Sequence, residues 1–304
     1  MTFNEPWALS GFAYDDGVFA PGRCSSWVNR QCRAGNSATE PYIVAHHLLL
    51  SHAAAVQVYR EKYQTTQDGM IGITLFTFWW MDPLTYAYGQ YPRRVKDLVG
   101  DRLPKLTDEE THCLENRMIF LDYNTILRIM QNQMLHLIQI MLDTRLIAAL
   151  LKLAYSPWFY IFPKGIRHLL NYTKDTYDNP VIFITENGVD RYNNESLTPE
   201  QVMKDKFRID YYREHMWHAL VGFDGEYNVN LKGYFAWSYL DNFEWNIGYT
   251  SRFGLYYVDY NDDLKRSPKN SALWFTDFLK PLVPNKITKT TSKGSRRVGK
   301  YYIM

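Results

Sequence analysis

Short apolar runs alternate with amphipathic stretches of helical length along most of this chain, and that alternation restricts what it can fold into. Glu40 to Lys62 carries Val44, Leu48, Leu49, Ala55, Val56 and Tyr59 near helical spacing, then meets a turn at Gln67-Asp68-Gly69. Ile71 to Phe76 follows as a β-rich run buried on both faces. The pattern recurs as a helix over Thr107 to Asn116 with a strand over Met118 to Tyr123, and a helix over Lys164 to Tyr177 with a strand over Val181 to Thr185. A long helix is predicted over Leu197 to Val221, opening on Thr198-Pro199-Glu200-Gln201, before a strand over Lys232 to Trp237 and a last helix over Pro268 to Leu279. Alternation of this kind requires a parallel sheet covered by helices, either a doubly wound sheet or a TIM barrel. Met1 to Asn36, rich in Gly, Pro, Ser and aromatics, is expected to be loop around Ala20-Pro21-Gly22-Arg23-Cys24.

Ile126 to Ala154 breaks this rhythm. It is rich in Ile, Leu and Met, but Arg128, His136, Asp143, Arg145 and Lys152 interrupt it, so it falls short of the roughly 18 uncharged residues of a membrane span. An amphipathic helix is expected there. The net charge of +2 gives no footprint for nucleic acid or an anionic membrane. The basic cluster Lys286, Lys289, Lys293, Arg296, Arg297 and Lys300 reads as a solvated extension over 281–304, after one domain over 1–280. No signal peptide pattern follows Met1. Cys24 and Cys32 share a Gly/Ser/Asn-rich loop and can close a small disulfide in an oxidising compartment, leaving Cys113 over. None of the three has the spacing of a metal site.

Two glutamates stand out. Glu5 lies between an amide and a proline in Thr2-Phe3-Asn4-Glu5-Pro6, and Glu186 follows a buried strand in Ile184-Thr185-Glu186-Asn187-Gly188. In a parallel α/β sheet, chemistry collects at the C-terminal strand ends. A single glutamate there is more often a capping residue, but two carboxyls meet a specific need. Glycosidic cleavage requires a proton for a poor leaving group and negative charge against an oxocarbenium-like centre.

Both motifs resemble the acid/base and nucleophile motifs of family 1 glycoside hydrolases, most closely the plant β-glucosidases. The likeness continues through Thr39-Glu40-Pro41-Tyr42, Asp82-Pro83-Leu84-Thr85, Gly100-Asp101-Arg102-Leu103-Pro104 and Phe235-Ala236-Trp237-Ser238-Tyr239-Leu240-Asp241-Asn242-Phe243-Glu244-Trp245. It implies a (β/α)8 TIM barrel, represented from the end of the fourth strand through the eighth strand-helix unit. It further implies retaining hydrolysis of β-D-glucosides, with Glu186 as nucleophile and Glu5 as acid/base, and no metal or cofactor. Asn4 would bond the sugar 2-hydroxyl, Glu244 would bridge two hydroxyls with Trp245 beside it, Trp237 would form the stacking floor and Phe253 the rim. Trp158 resembles the aglycone-binding Trp, with Phe12 and Phe19 as the opposite wall. A Glu rather than Gln at position 5 points to an O-glucosidase, and Glu244 would repel a phosphorylated sugar.

The likeness also has breaks. The first three strand-helix units of the family have no counterpart, so the resemblance implies an N-terminally truncated, partly open barrel that is poorly soluble or inactive alone. Asn124 takes the place of the Tyr that orients the nucleophile, with Tyr123 the nearest substitute. The expected partner is a small β-glucoside, with a homo-oligomer left open, and the expected location is secreted or a vacuolar or ER lumen. The rival readings are an inactive truncated or mis-spliced homologue and a non-enzymatic sugar-binding module.

Overall fold

A computed structural model describes residues 1–75, 90–114, 121–124, 152–156, 159–224, 228–280 and 302–303. Its frame is a sheet of β1 (Ile73–Leu75), β2 (Leu121–Asn124), β5 (Ile182–Asn187), β7 (Leu231–Ala236) and β11 (Tyr302–Ile303), in that order and parallel throughout. Apart from it, β6 (Arg191–Tyr192) pairs antiparallel with β8 (Ser251–Arg252), and β9 (Tyr256–Val258) with β10 (Arg266–Pro268). Residues 2–5 extend the same sheet on the far side of β1. Thr2 N–H donates to Gly72 O at 2.9 Å, Thr74 N–H to Phe3 O at 3.0 Å and Glu5 N–H to Thr74 O at 3.1 Å, with Asn4 bridged in parallel to Thr74. Spatial neighbours are therefore sequence neighbours from residue 2 through β7, with helices between them. That is an arc of the predicted (β/α)8 barrel, and among the described residues it is open rather than closed.

Apolar burial explains why these runs became strands. Ile73, Leu75, Ile182 and Ile184 are fully buried, and Thr74 between the first two is buried as well, as expected of a parallel strand covered on both faces. Outside the sheet lie α2 (Glu40–Lys62), α5 (Asp108–Leu114), α6 (Pro163–Thr176), α8 (Lys206–Asp224) and α9 (Asn270–Phe278), together with the short helical segments α1 (Pro6–Ala8), α3 (Gln64–Gln67) and α4 (Arg93–Val99). The helix over 40–62 turns His46, Leu49, Ala53 and Val56 inward at intervals of three and four. The helix over 163–176 does the same with Ile166, Leu170 and Thr173. Each large apolar side chain removed from water in this way contributes about 2 kcal/mol.

Several expectations are corrected. The helix expected over 197–221 is two helices, α7 (Pro199–Met203), which starts on a Thr198/Gln201 capping box, and the helix over 206–224. The chain turns between them because buried Asp205 accepts hydrogen bonds from Ser271 N–H at 2.8 Å, Ser271 Oγ at 2.6 Å and Arg208 at 2.5 Å. Residues 6–13, expected as loop, form a helical turn that passes into a π-helical turn over Leu9–Ala13. Most of the apolar stretch 126–154 lies outside the described residues. Its end is not helical, since β3 (Lys152–Leu153) pairs antiparallel with β4 (Tyr160–Ile161). Tyr302–Ile303 pairs in parallel with Gly233 and Tyr234, while the basic cluster expected as a solvated extension lies outside the described residues. Among the described residues no helix is long and apolar enough to cross a membrane.

The loop over 14–37 is held covalently. Cys24 and Cys32 are bonded, and Cys113 takes no part in a disulfide among the described residues. Arg23, from the turn-forming motif, makes a two-pronged ion pair with Glu40 at 2.9 and 2.6 Å, which pins the loop to the first turn of the helix over 40–62.

Candidate active site

The C-terminal ends of the strands carry the two glutamates singled out from sequence. Glu5 leaves the sheet edge in a left-handed conformation, φ 46°, and Pro6 then starts a helical turn at the position where proline is best tolerated. Glu186 lies near the C-terminal end of β5, past an irregularity in the ladder that follows Ile184. The two carboxyls feel one another. Burial, then the negative charge of Glu186, pushes the Glu5 carboxyl up to about 7.

A third carboxyl belongs to the same site. Glu244 is 6% exposed, and burial is the main cause that lifts it to about 7. A hydrogen bond from Trp237 opposes that rise, while Glu186, Asp190 and Asp241 add to it. Its Oε1 has no hydrogen-bond partner among the described residues. A buried acceptor left unmatched costs about 1–3 kcal/mol, so this oxygen is suited to a hydroxyl donor from a ligand.

A consequence for stability follows from the sign of the Glu244 shift. The folded carboxyl holds its proton up to about 7, whereas the unfolded one releases it near 4.5, so rising pH between these values disfavours the folded state. Below that window the group costs nothing, and above it the full penalty remains. Glu244→Gln is therefore expected to gain about 1–3 kcal/mol relative to the parent protein between pH 4 and pH 8, measured by urea unfolding at both. An unchanged difference would show that Glu244 is not held in this environment.

Trp237 ends the strand over 231–236 beside Glu186's strand. Its N–H donates to Asn187 O at 2.8 Å, its carbonyl accepts from Tyr212 OH at 3.0 Å, and its peptide with Ser238 is cis. This approach requires glycine at 188, because a Cβ there would lie 1.7 Å from Trp237 O. Asn187 is buried, accepts from Tyr234 OH and donates to Tyr211 OH at 3.1 Å.

The remaining sequence candidates fall in different places. Trp245 is 56% exposed and stacks on Phe19 with centroids 4.9 Å apart and planes 11° apart. Phe19 meets Phe12 edge-on at 5.1 Å, so Phe12 and Phe19, expected as one wall, form a continuous aromatic face with Trp245. Phe253 is buried and edge-on to Phe159, beneath the surface rather than at a rim. Asn4 is exposed at the strand end. In the ladder Tyr123 pairs with Ile184, and Asn124 pairs with Glu186 across an irregularity in register. Trp158 lies outside the described residues.

Sequence reasoning missed the polar support below the site. Asp190, four residues past Glu186, accepts from Ser156 Oγ at 2.6 Å and Ser251 Oγ at 3.0 Å. Asp241 and Arg252 pair at 2.7 Å. Asn187 and Asp241 stood inside the quoted motifs, but nothing local distinguished them from their neighbours.

This arrangement has counterparts among known proteins. The profile of Glycosyl hydrolase family 1 matches residues 1–85 and 73–282. Beta-glucosidase 12 of Oryza sativa subsp. indica is 42% identical, covering 92% of this chain and 61% of its own length. Beta-glucosidase 24 of Oryza sativa subsp. japonica is 43% identical over 92% of this chain and 62% of its own. Among solved structures, rice Os3BGlu6 β-glucosidase aligns with a TM-score of 0.80 at 36% identity, covering 91% of this chain and 65% of that one. A GH1 β-glucosidase from the fungus Humicola insolens, in complex with glucose, aligns at 0.76 and 32%, covering 90% of this chain and 64% of that one. The chain spans about three fifths of the length of the curated relatives it matches. With two glutamates at the C-terminal ends of strands in one parallel sheet, a (β/α)8 arc and a profile match over most of its length, the chain belongs to Glycosyl hydrolase family 1.

Proposed function

We propose that this chain carries the catalytic carboxylates of a β-glucosidase that cleaves β-D-glucosides with retention of configuration. The observation that supports this most is the Glu5 carboxyl, lifted to about 7 by burial and by the charge of Glu186. In the first step Glu186 attacks the anomeric carbon while Glu5 gives its proton to the departing glycosidic oxygen. In the second Glu5, now ionised, takes a proton from water, and that water displaces the sugar from Glu186. A carboxyl near 7 can serve both steps at neutral pH, whereas an ordinary one near 4.5 would be ionised too early to act as the acid. The chemistry needs no metal or cofactor.

Glu244, with its unmatched buried oxygen, is the proposed sugar-hydroxyl acceptor, and half-buried Trp237 is the proposed stacking floor. The Phe12, Phe19 and Trp245 face is a platform for the aglycone. A solved mutant of rice Os3BGlu6 is described as a covalent complex with Glc, the kind of intermediate this mechanism requires. The closed Cys24–Cys32 bond supports an oxidising compartment.

The test is to trap the intermediate. A 2-deoxy-2-fluoro-β-glucoside with a good leaving group slows both steps, the second more severely, and should leave a fluoroglucosyl ester on the peptide that contains Glu186. Peptide mass spectrometry reads the site. A label on another carboxylate, or turnover with no label accumulating, would remove Glu186 from the nucleophile's role.

A further inference from the structure

The loop from Trp237 to Gly254 presents both Trp237 and Glu244, yet its regular structure is limited to one 3-10 turn over Trp245–Ile247 and the two-residue strand β8 (Ser251–Arg252). Something else must hold it. Asp241, between the two site residues, has a fully buried side chain. Its Oδ1 accepts from Lys269 Nζ at 2.7 Å and Gly254 N–H at 2.9 Å, and its Oδ2 accepts from Arg252 Nη1 at 2.7 Å.

Both cations are anchored again elsewhere. Lys269 Nζ donates to Gly254 O at 2.7 Å, and Arg252 donates to Val258 O at 2.9 Å and Asn193 Oδ1 at 2.6 Å, with its guanidinium 4.5 Å from the ring centres of Tyr257 and Tyr260. Below the loop, a Cβ at Gly254 would lie 2.1 Å from Asp241 N, so the backbone rests directly on this segment. The same cluster reaches the segment just past the strand that carries Glu186. Arg208 donates to Arg252 O at 2.9 Å and Val189 O at 3.4 Å, while Asp190 holds Ser251.

Burying a carboxylate between two cations incurs a desolvation penalty that a well-packed apolar cluster would avoid. What such a cluster supplies in return is a fixed geometry, since each oxygen accepts from donors on separate segments. We propose that Asp241 is a positioning residue, which sets Glu244 and Trp237 at a fixed place relative to Glu186. Buried as it is, Asp241 does not touch substrate and acts only through the loop. This inference rests on reading Glu244 and Trp237 as the sugar-holding pair.

A double-mutant cycle with Asp241→Asn and Glu244→Gln in the full protein separates positioning from general damage. An amide at 241 places a donor against Lys269 or Arg252 while keeping the shape. Asp241→Asn alone is expected to raise KM for p-nitrophenyl β-glucoside, and Kd for a glucose-shaped iminosugar, by about tenfold, with kcat within about threefold. On the Glu244→Gln background its further effect should be less than about twofold, because the group it positions is already gone. Effects that multiply, or an unchanged KM and Kd in a folded Asp241→Asn protein, overturn the proposal. If Asp241→Asn does not fold, Lys269→Met is carried through the same cycle with an expected rise of about threefold. Glu186→Gln is run alongside. Turnover that survives it defeats the catalytic reading itself, and the iminosugar cycle still decides the role of Asp241.

Discussion

Glu186→Gln is expected to lower kcat/KM for p-nitrophenyl β-glucoside by at least about 10⁴-fold, with iminosugar binding reduced far less. The amide keeps the shape of the carboxyl and one of its acceptor oxygens but cannot form the glycosyl ester, so the loss falls mainly on chemistry. Shortening the residue to Ala makes the same point differently, since a small anion such as azide can enter the space and attack from the face Glu186 used. The product should then be the α-glucosyl azide, the inverse of the normal outcome. Activity within about tenfold of the parent in Glu186→Gln would show that the two-carboxylate mechanism is wrong for this protein.

The second large effect concerns Glu5. Because the proton it donates is lost as pH passes about 7, the first step should weaken on the alkaline side of that value. Glu5→Gln should remove this alkaline limb and cost about 10²–10⁴-fold with an alkyl glucoside, whose leaving oxygen needs the proton. With 2,4-dinitrophenyl β-glucoside, whose leaving group departs unprotonated, the first step should be nearly spared. Measuring both substrates from pH 4 to pH 9 is the check, and an equal loss on both would assign Glu5 to structure rather than proton transfer. The same shift sets a stability trend. Protonated in the fold up to about 7 but ionised near 4.5 when unfolded, Glu5 weakens the folded state as pH rises across that window, so Glu5→Gln should gain stability above it.

The strands were legible because burial on both faces leaves little choice of residue, and Ile71 to Phe76 and Val181 to Thr185 carry that pattern without help from the rest of the chain. The two glutamates were legible for a related reason, since each directly follows such a run or precedes a proline that ends it. What sequence could not give was set by partners far along the chain. The break after Met203 depends on Asp205 meeting Ser271, 66 residues later. The strand over 302–303 pairs with Gly233 and Tyr234, 69 residues earlier in the chain. Nothing local set Arg252 and Lys269 apart, and their role shows only once Asp241 is placed between them. Phe253 sits next to Arg252 in sequence, and its edge contact with Phe159 took it below the surface where a rim had been expected.

The missing side chain at 188 has a genetic counterpart. Trp237 O occupies the space that any β-carbon there would need, so even alanine would drive two neighbouring walls of the pocket apart. In a saturation screen scored by hydrolysis, codon 188 should tolerate no replacement at all. Such alleles would pass for nucleophile knockouts although every reactive group was still encoded.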